Sequence, residues 1–178
     1  MKLLLFCVES NKQEQIDWLY IESIVKHVFE EDNSIARRPV FMNSKSRYNS
    51  AKVQNEISRY QSISYEYVAV IYCVDTDKYE TDANQKREFE NIVKYCADND
   101  YDLVWFCHDI EEVCIGHSVP DSQKKACATR FVAKEEYRIV DKNKLMKKTY
   151  SKGFSNFITV VSKYMTIKPE EHGTNPKK

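Results

Sequence analysis

Glycine is scarce in this chain of 178 residues, and its scarcity excludes several classes of enzyme. The glycines are Gly116, Gly153 and Gly173, which lie too far apart to form a phosphate-binding loop. The sequence therefore has neither the G-x-G-x-x-G fingerprint of dinucleotide-binding folds nor the G-x-x-x-x-G-K-[ST] loop of P-loop NTPases. It also lacks the G-x-S-x-G turn of serine hydrolases.

The sequence also lacks the usual spacings of metal-binding cysteine and histidine. The six cysteines show no C-x-x-C pair, and most lie inside apolar runs, where a reduced cysteine behaves as a small hydrophobic residue. The four histidines form no H-x-x-x-H pair. We therefore expect buried thiols, without a zinc knuckle or a disulfide framework, in a cytoplasmic protein.

No apolar run approaches the roughly 20 residues that are needed to span a bilayer, so we expect no membrane partner. The apolar start at residues 2–8 ends at Glu9, which is too early for a secretory signal and fits a first β-strand. Hydrophobic residues make up 42% of the chain and charged residues 30%, which is typical of one folded domain.

Charge is divided unevenly along the chain although the formal net charge is zero. Residues 1–120 hold 13 Lys and Arg against 21 Asp and Glu, whereas residues 121–178 hold 14 against 6. One interpretation is an acidic half that holds a metal and a basic half that meets phosphate groups. The other is a set of ordinary solvated helices.

Strands and helices alternate along the first 120 residues. Continuous apolar runs predict buried strands at residues 2–8, 67–74 and 101–107, with a short strand at 39–42. Helical spacing of apolar residues and capping signals predict helices from a capping box at 10–13 to about 30, over 51–61, and from Asp82 to about 97. This order predicts an α/β fold with a mainly parallel, Rossmann-like sheet flanked by helices.

The last third of the chain is more polar and is predicted to be helical. An apolar stripe after Gly153 is expected to pack on the sheet. We predict a core at 1–120, a helical and basic C-terminal segment packed on it at 121–167, and a disordered tail at 168–178.

Acidic residues follow the predicted strands. The run at 67–74 stops at Asp75-Thr76-Asp77, and carboxylates on residues i and i+2 of a strand point to the same side. Such a pair repels itself unless a cation lies between the two groups, although Asp is also a common turn residue. Glu9 and Asp109 follow two other strands, and in parallel sheets the functional crevice lies beyond the carboxyl ends of the strands.

These acids predict a site for a hard cation. Glu9, Asp75 and Asp77 would meet if their strands are neighbours, and several carboxylate oxygens with positions left for water suit Mg²⁺ or Mn²⁺. A site of this kind supports phosphodiester chemistry, because the cation activates water and neutralises charge on the phosphate.

The order of these motifs resembles the Toprim domain of topoisomerases, primases and nucleases. The closer likeness is to the RloB-like, OLD-nuclease-related proteins of bacterial defence loci, and it covers about residues 3–117. Three segments carry it: Val8-Glu9 through Glu14 followed by aromatic residues, Asp75-Thr76-Asp77, and His108 through Glu111 to His117. Ser10 stands where that family has glycine.

The resemblance implies a function and roles for individual residues. Glu9 would be a metal ligand or general base, Asp75 and Asp77 metal ligands, and Glu111 a further catalytic acid. The implied activity is a Mg²⁺- or Mn²⁺-dependent nuclease acting on RNA such as tRNA, or on DNA. The family implies antiphage defence beside a separate ATPase subunit. A homo-oligomer is compatible with the sequence.

Several assignments stay open. Glu14 could hold a second metal or a lysine, or be a surface residue of a helix. Asp109 and Glu112, which a helix presents together as i and i+3, compete with Glu111 for the site. His117 is either a phosphate contact or a residue at a helix end.

The basic segment offers candidates for binding a nucleic acid backbone. They are Lys124, Lys125, Arg130, Lys134, Lys147 and Lys148. The alternative function is a non-catalytic regulatory or interaction module, either receiver-like or a degenerate Toprim domain. A receiver domain usually has paired acids after its first strand, whereas this chain has Glu9 followed by Ser10.

Overall fold

Five strands form one sheet in the computed structural model of the protein, which describes residues 1–169. They are β1 (Lys2–Val8), β2 (Ile35–Phe41), β3 (Tyr67–Asp75), β4 (Asp102–Cys107) and β5 (Phe154–Ser155). Their order across the sheet is β2-β1-β3-β4-β5, and β5 alone is antiparallel to its neighbour. The predicted α/β class with a mainly parallel sheet is confirmed.

Six α-helices and three 3₁₀ turns connect and flank these strands. The α-helices are α1 (Ile16–Val28), α2 (Ala51–Gln61), α3 (Ala83–Asp98), α4 (Ile110–Ile115), α5 (Asp121–Ala133) and α6 (Phe157–Val161). The 3₁₀ turns are Lys45–Arg47, Glu136–Ile139 and Lys142–Met146. Ser50, Asp82 and Asp109 begin α2, α3 and α4, because each side-chain oxygen accepts a backbone N–H of the first turn.

The core lies on both faces of the sheet, because successive side chains of a strand point to opposite sides. Leu4, Phe6 and Val8 of β1 pack with α1, α4, α5 and α6, whereas Leu3 and Leu5 pack with α2 and α3. Burial on both faces explains why β1 and β3 appear as continuous apolar runs. All six cysteines are free and buried, as the sequence predicts.

The strand β2 begins earlier than the predicted strand at 39–42. It pairs with β1 over its whole length, from Ile35 opposite Lys2 to Phe41 opposite Val8. Arg37, Arg38 and Pro39 interrupt its apolar pattern, and an edge strand tolerates them because one of its sides carries no partner strand.

The first helix begins later than the predicted capping box. The Asn11 side chain accepts hydrogen bonds from the backbone N–H groups of Gln13 and Glu14, each at 2.9 Å. This local turn competes with the helix, so α1 begins at Ile16.

The C-terminal segment is less helical than predicted. Of its apolar stripe, Phe154–Ser155 form β5 and the α-helix covers Phe157–Val161 only. The Asn156 side chain holds this segment to β4, since it accepts from the Trp105 N–H at 3.0 Å and donates to the Leu103 carbonyl at 2.9 Å. The stripe still packs in the core, as predicted: Phe157, Ile158, Val160, Val161 and Met165 are buried.

Ordered structure continues through residue 168, where the sequence analysis places the start of a disordered tail. Ile167 bridges to Phe29, and the Lys168 N–H donates to the Val28 carbonyl at 2.8 Å. Residues 170–178 of the predicted tail lie outside the described residues. Within residues 1–169, no helix is long and apolar enough to cross a membrane.

Replacing Asn156 with alanine should destabilise the protein by about 1–3 kcal/mol, because the change leaves a buried N–H and carbonyl of β4 without their partner. Urea unfolding followed by circular dichroism measures the difference. Asn143→Ala, on an exposed residue, is the matched control and should change the free energy of unfolding by less than about 0.5 kcal/mol. Equal stability of Asn156→Ala and wild type would contradict this role.

Candidate functional site

Glu9 and Asp75 meet at the carboxyl ends of two neighbouring strands. Glu9 directly follows β1 and Asp75 ends β3, and these strands pair in parallel. Oε1 of Glu9 accepts the backbone N–H of Asp75 at 2.7 Å. Oδ1 of Asp75 in turn accepts the N–H of Ile110, the first residue of α4, at 3.0 Å. The predicted convergence of the acids from these two strands is therefore present in the structure.

Asp17, in the first turn of α1, is a further acid at this edge that the sequence analysis missed. Its Oδ2 accepts the N–H of Ser10 at 2.8 Å, while the Ser10 hydroxyl accepts the N–H of Asp17 at 3.3 Å. Burial raises the pKa of Asp17, and the bonds from Ser10 oppose that rise. A sequence signal existed, because Asp17 precedes the buried Ile21, Ile24 and Val28 of α1 by four, seven and eleven residues.

Glu111 is fully buried in α4, with 0% of its surface exposed. Neither of its carboxylate oxygens accepts a hydrogen bond from the described residues. Lys124 of α5 neutralises part of the Glu111 charge, because its Nζ lies 3.4 Å from Oε2 of Glu111. The two groups are not aligned for a hydrogen bond. Burial raises the pKa of Glu111, whereas Lys124 lowers it. We call Glu9, Asp17, Asp75 and Glu111 the acidic cluster.

The carboxyl groups of the acidic cluster influence one another's protonation, although only Glu111 is buried and the other three are partly exposed. Burial raises the pKa of Glu9 to about 8, and the charge of Asp17 adds to the rise. Burial also raises the pKa of Asp75 well above its ordinary value, and the charges of Glu9, Asp17 and Glu111 add to that rise. A carboxyl group whose pKa is raised in this way favours its protonated form.

Asp77 does not extend the strand beyond Asp75, contrary to the expectation of two carboxylates on one face of a strand tip. Its backbone is left-handed, with a φ of 50°, and its N–H donates to the His108 carbonyl at 2.8 Å. The Asp77 carboxylate forms an ion pair with Lys45, whose ammonium also donates to the Asp75 carbonyl at 3.3 Å. Lys45 is 5% exposed and was not predicted, because it lies in a polar loop without a pattern.

The predicted ligands are not preformed around a cation. Within residues 1–169, Glu80, Cys107 and His108 are the group of three or more acid, cysteine or histidine residues whose ligand atoms all lie within 4.8 Å of one another. Glu9, Asp75 and Asp77 do not reach that spacing, and their groups already have protein partners: Glu9 accepts the Asp75 N–H, and Asp77 pairs with Lys45. The Glu111 oxygens, which accept no hydrogen bond from the described residues, nevertheless fit the donor set that Mg²⁺ or Mn²⁺ requires.

The remaining predicted acids and His117 lie around the acidic cluster. Glu14 is exposed and accepts from the Asn11 side chain at 2.8 Å, which fits the surface alternative. Asp109 caps α4, accepting from the Glu112 N–H and the Ser118 hydroxyl, each at 2.6 Å. Glu112 is buried beside His108 and Lys152, and His117 is exposed beyond the end of α4. Of the three competing acids, Glu111 is thus the one whose charge raises the pKa of Asp75.

The basic residues that were predicted to bind nucleic acid have different surroundings. Lys124 lies at the edge of the acidic cluster. Burial lowers its pKa, but the charges of Glu111, Asp75 and Asp109 raise it by more, so the net shift is upward. Arg130 forms an ion pair with Glu136 at 3.1 Å, and Lys147 lies over the Phe154 ring at 5.2 Å. The exposed members of the set are Lys125, Arg130, Lys134 and Lys148.

Comparisons of the chain with protein-family models, with curated proteins and with solved structures give no match. The likeness to Toprim nucleases thus has its basis in the short sequence motifs.

The acidic cluster predicts a specific pH dependence of stability in metal-free protein. Between about pH 4.5 and about pH 8, Glu9 is protonated in the folded chain and ionised in the unfolded chain. Stability should therefore fall as the pH rises through this window, by about 1.4 kcal/mol for each unit by which this pKa is raised. Glu9→Gln removes that contribution, so the variant should lose less stability between about pH 5 and about pH 9.

Urea unfolding in EDTA at both pH values measures this difference. Glu14→Gln, which changes an exposed acid on the same loop, should keep the wild-type dependence. An unchanged pH dependence in Glu9→Gln would show that Glu9 does not titrate in this window.

Proposed function

We propose that this protein is a divalent-metal-dependent nuclease of the Toprim type, acting on RNA such as tRNA, or on DNA. The observation that carries the proposal is the acidic cluster. Four carboxyl groups from three different parts of the chain converge beyond the carboxyl ends of β1 and β3, and the oxygens of one of them lack any hydrogen-bond partner among residues 1–169.

The position of the cluster supports a functional role. In open parallel sheets, ligands bind in the crevice outside the carboxyl ends of the strands. Both β1 and β3 are central in the sheet, so their ends form the middle of that edge. Burying several like charges is costly, and a structural role alone gives no reason for collecting them at this edge.

Charge balance supports a cation as the ligand. Lys45 and Lys124 offer two positive charges to a group of five acids, namely the acidic cluster and Asp77. A bound Mg²⁺ or Mn²⁺ would supply two further positive charges, activate a water molecule and neutralise the charge that develops on the phosphate. Glu9, Asp75 and Glu111 would hold it, with Asp77 joining them when Lys45 moves away.

The side chains of the protein then have distinct tasks. Glu9 would serve either as a ligand of the cation or, in its ionised form, as the base that takes a proton from the attacking water. Lys45, released from Asp77, and Lys124 would face the scissile phosphate, while exposed lysines such as Lys125 and Lys148 contact the backbone. A role in bacterial antiphage defence and a partner ATPase follow from the resemblance alone.

A second candidate function is a non-catalytic interaction module. The observation that favours it is the ion pair between the buried Lys45 and the partly exposed Asp77, which already neutralises part of the site without a metal. In that case the acidic cluster would be a structural network.

A cleavage assay separates the two functions. The full chain, alone and with its genomic neighbour if that is an ATPase, is incubated with labelled tRNA and with plasmid DNA in Mn²⁺. We expect cleavage that EDTA abolishes, that Asp75→Asn removes, and that Glu9→Gln slows by about 10²- to 10⁴-fold. Glu14→Gln should cleave at the wild-type rate, because Glu14 is exposed outside the cluster.

Cleavage that persists in the double variant Asp75→Asn/Glu111→Gln would overturn the proposed active site. Absence of cleavage by wild-type protein on every substrate, with and without the ATPase, would favour the interaction module.

A further inference from the structure

A second group of potential metal ligands lies beside the acidic cluster and contains a thiol and an imidazole in addition to a carboxylate. Cys107 ends β4, His108 follows it, and Glu80 lies in the loop between β3 and α3. The Glu80 carboxylate accepts from both neighbours: Oε1 lies 3.6 Å from the Cys107 sulfur, and Oε2 lies 2.9 Å from Nε2 of His108. The ligand atoms of all three side chains lie within 4.8 Å of one another.

We propose that Glu80, Cys107 and His108 form a binding site for a transition metal of the Zn²⁺ class. Thiolate, imidazole and carboxylate together form the borderline donor set that selects Zn²⁺ over Mg²⁺, which prefers oxygen alone. Three protein ligands leave the fourth tetrahedral position for water, as in many zinc sites. Glu80 is 43% and His108 31% exposed, so an ion can enter from solvent.

The surroundings of His108 match those of a metal-binding histidine. A ligating imidazole usually donates its other N–H to a carboxylate, which fixes the ring and its tautomer. Here Oε2 of Glu112 accepts the backbone N–H of His108 at 3.3 Å and lies 3.3 Å from Nδ1 of its ring, while Nε2 faces Glu80 and Cys107. Glu112 is itself held in place by Lys152, whose Nζ lies 3.1 Å from Oε1, and by its own N–H bond to Asp109.

An ion pair between His108 and Glu80 explains only part of this arrangement. It leaves unexplained why the buried Cys107 thiol, a weak hydrogen-bond donor, is directed at the same carboxylate. Zn²⁺ would take the place of the thiol proton: the Cys107 sulfur and the unprotonated Nε2 of His108 would each bond to the ion, and the displaced proton would pass to solvent.

The site would connect the loop after β3 with the turn before α4, two segments next to Asp75 and Glu111 of the acidic cluster. Glu80 belongs to the loop that contains Asp77, and His108 belongs to the turn that leads into Glu111. The two loops already touch, since the Asp77 N–H donates to the His108 carbonyl at 2.8 Å. A bound Zn²⁺ would therefore fix the position of one loop against the other, whether or not the protein is a nuclease.

Cobalt titration of the reduced, metal-free full chain tests the site, because Co²⁺ replaces Zn²⁺ and reports its ligands. We expect one equivalent to give a thiolate-to-cobalt charge-transfer band in the near ultraviolet, together with the visible bands of tetrahedral Co²⁺. Zn²⁺ should displace the Co²⁺ and remove both signals. Glu112→Gln should weaken Co²⁺ binding by about 10- to 100-fold, as loss of a carboxylate behind a ligating histidine usually does.

Variants identify the ligands. Cys107→Ser should abolish the charge-transfer band, while Cys114→Ser, a change at another buried thiol, should keep it. Glu80→Gln, at an exposed side chain where folding is preserved, should weaken binding without removing the band. Absence of the band in folded wild-type protein, or a band that survives Cys107→Ser, would overturn the proposal.

Discussion

The hydrogen bond from the Asp75 N–H to the Glu9 carboxylate joins the ends of the two central strands, and the rest of the site depends on it. It brings Glu9 next to Asp75, which in turn accepts the first N–H of α4 and so fixes the helix that carries Glu111. Burial raises the pKa of Glu9 and of Asp75, and the charges of the neighbouring acids add to the rise. The same contacts that complete the fold thus concentrate negative charge at one edge of the sheet.

Lys45 and Lys124 neutralise part of this negative charge. Lys45 approaches from the loop after β2 and pairs with Asp77, while Lys124 approaches from α5 and faces Glu111. Both lysines lie outside the motifs at the strand ends, and each could leave its carboxylate partner and bind a phosphate group instead. A partly buried ion pair contributes little net stability, so these two pairs alone do not explain why the fold collects the acids at this edge.

Much of the fold could be predicted from the sequence, because β1, β3 and β4 are buried on both faces of the sheet and therefore appear as continuous apolar runs. The edge strand β2 was shortened in the prediction by Arg37 and Arg38, and β5 could not be separated from a helical stripe because it has two residues. The convergence of Glu9 and Asp75 followed from strand adjacency alone. Lys45 and the pairing of Glu80 with Cys107 and His108 could not be predicted, since both depend on how distant loops approach in three dimensions.

Calorimetric titration of the metal-free full chain with Mn²⁺, near neutral pH, tests most directly whether the acidic cluster is a metal site. Prior saturation with one equivalent of Zn²⁺ occupies the softer site, so that the heat reports oxygen ligands. We predict at least one Mn²⁺ bound, with release of the Glu9 proton that makes the heat depend on the ionisation enthalpy of the buffer, and no binding in Asp75→Asn/Glu111→Gln. Equal Mn²⁺ binding in wild type and in the double variant, or none in either, would contradict a cation site at the ends of β1 and β3.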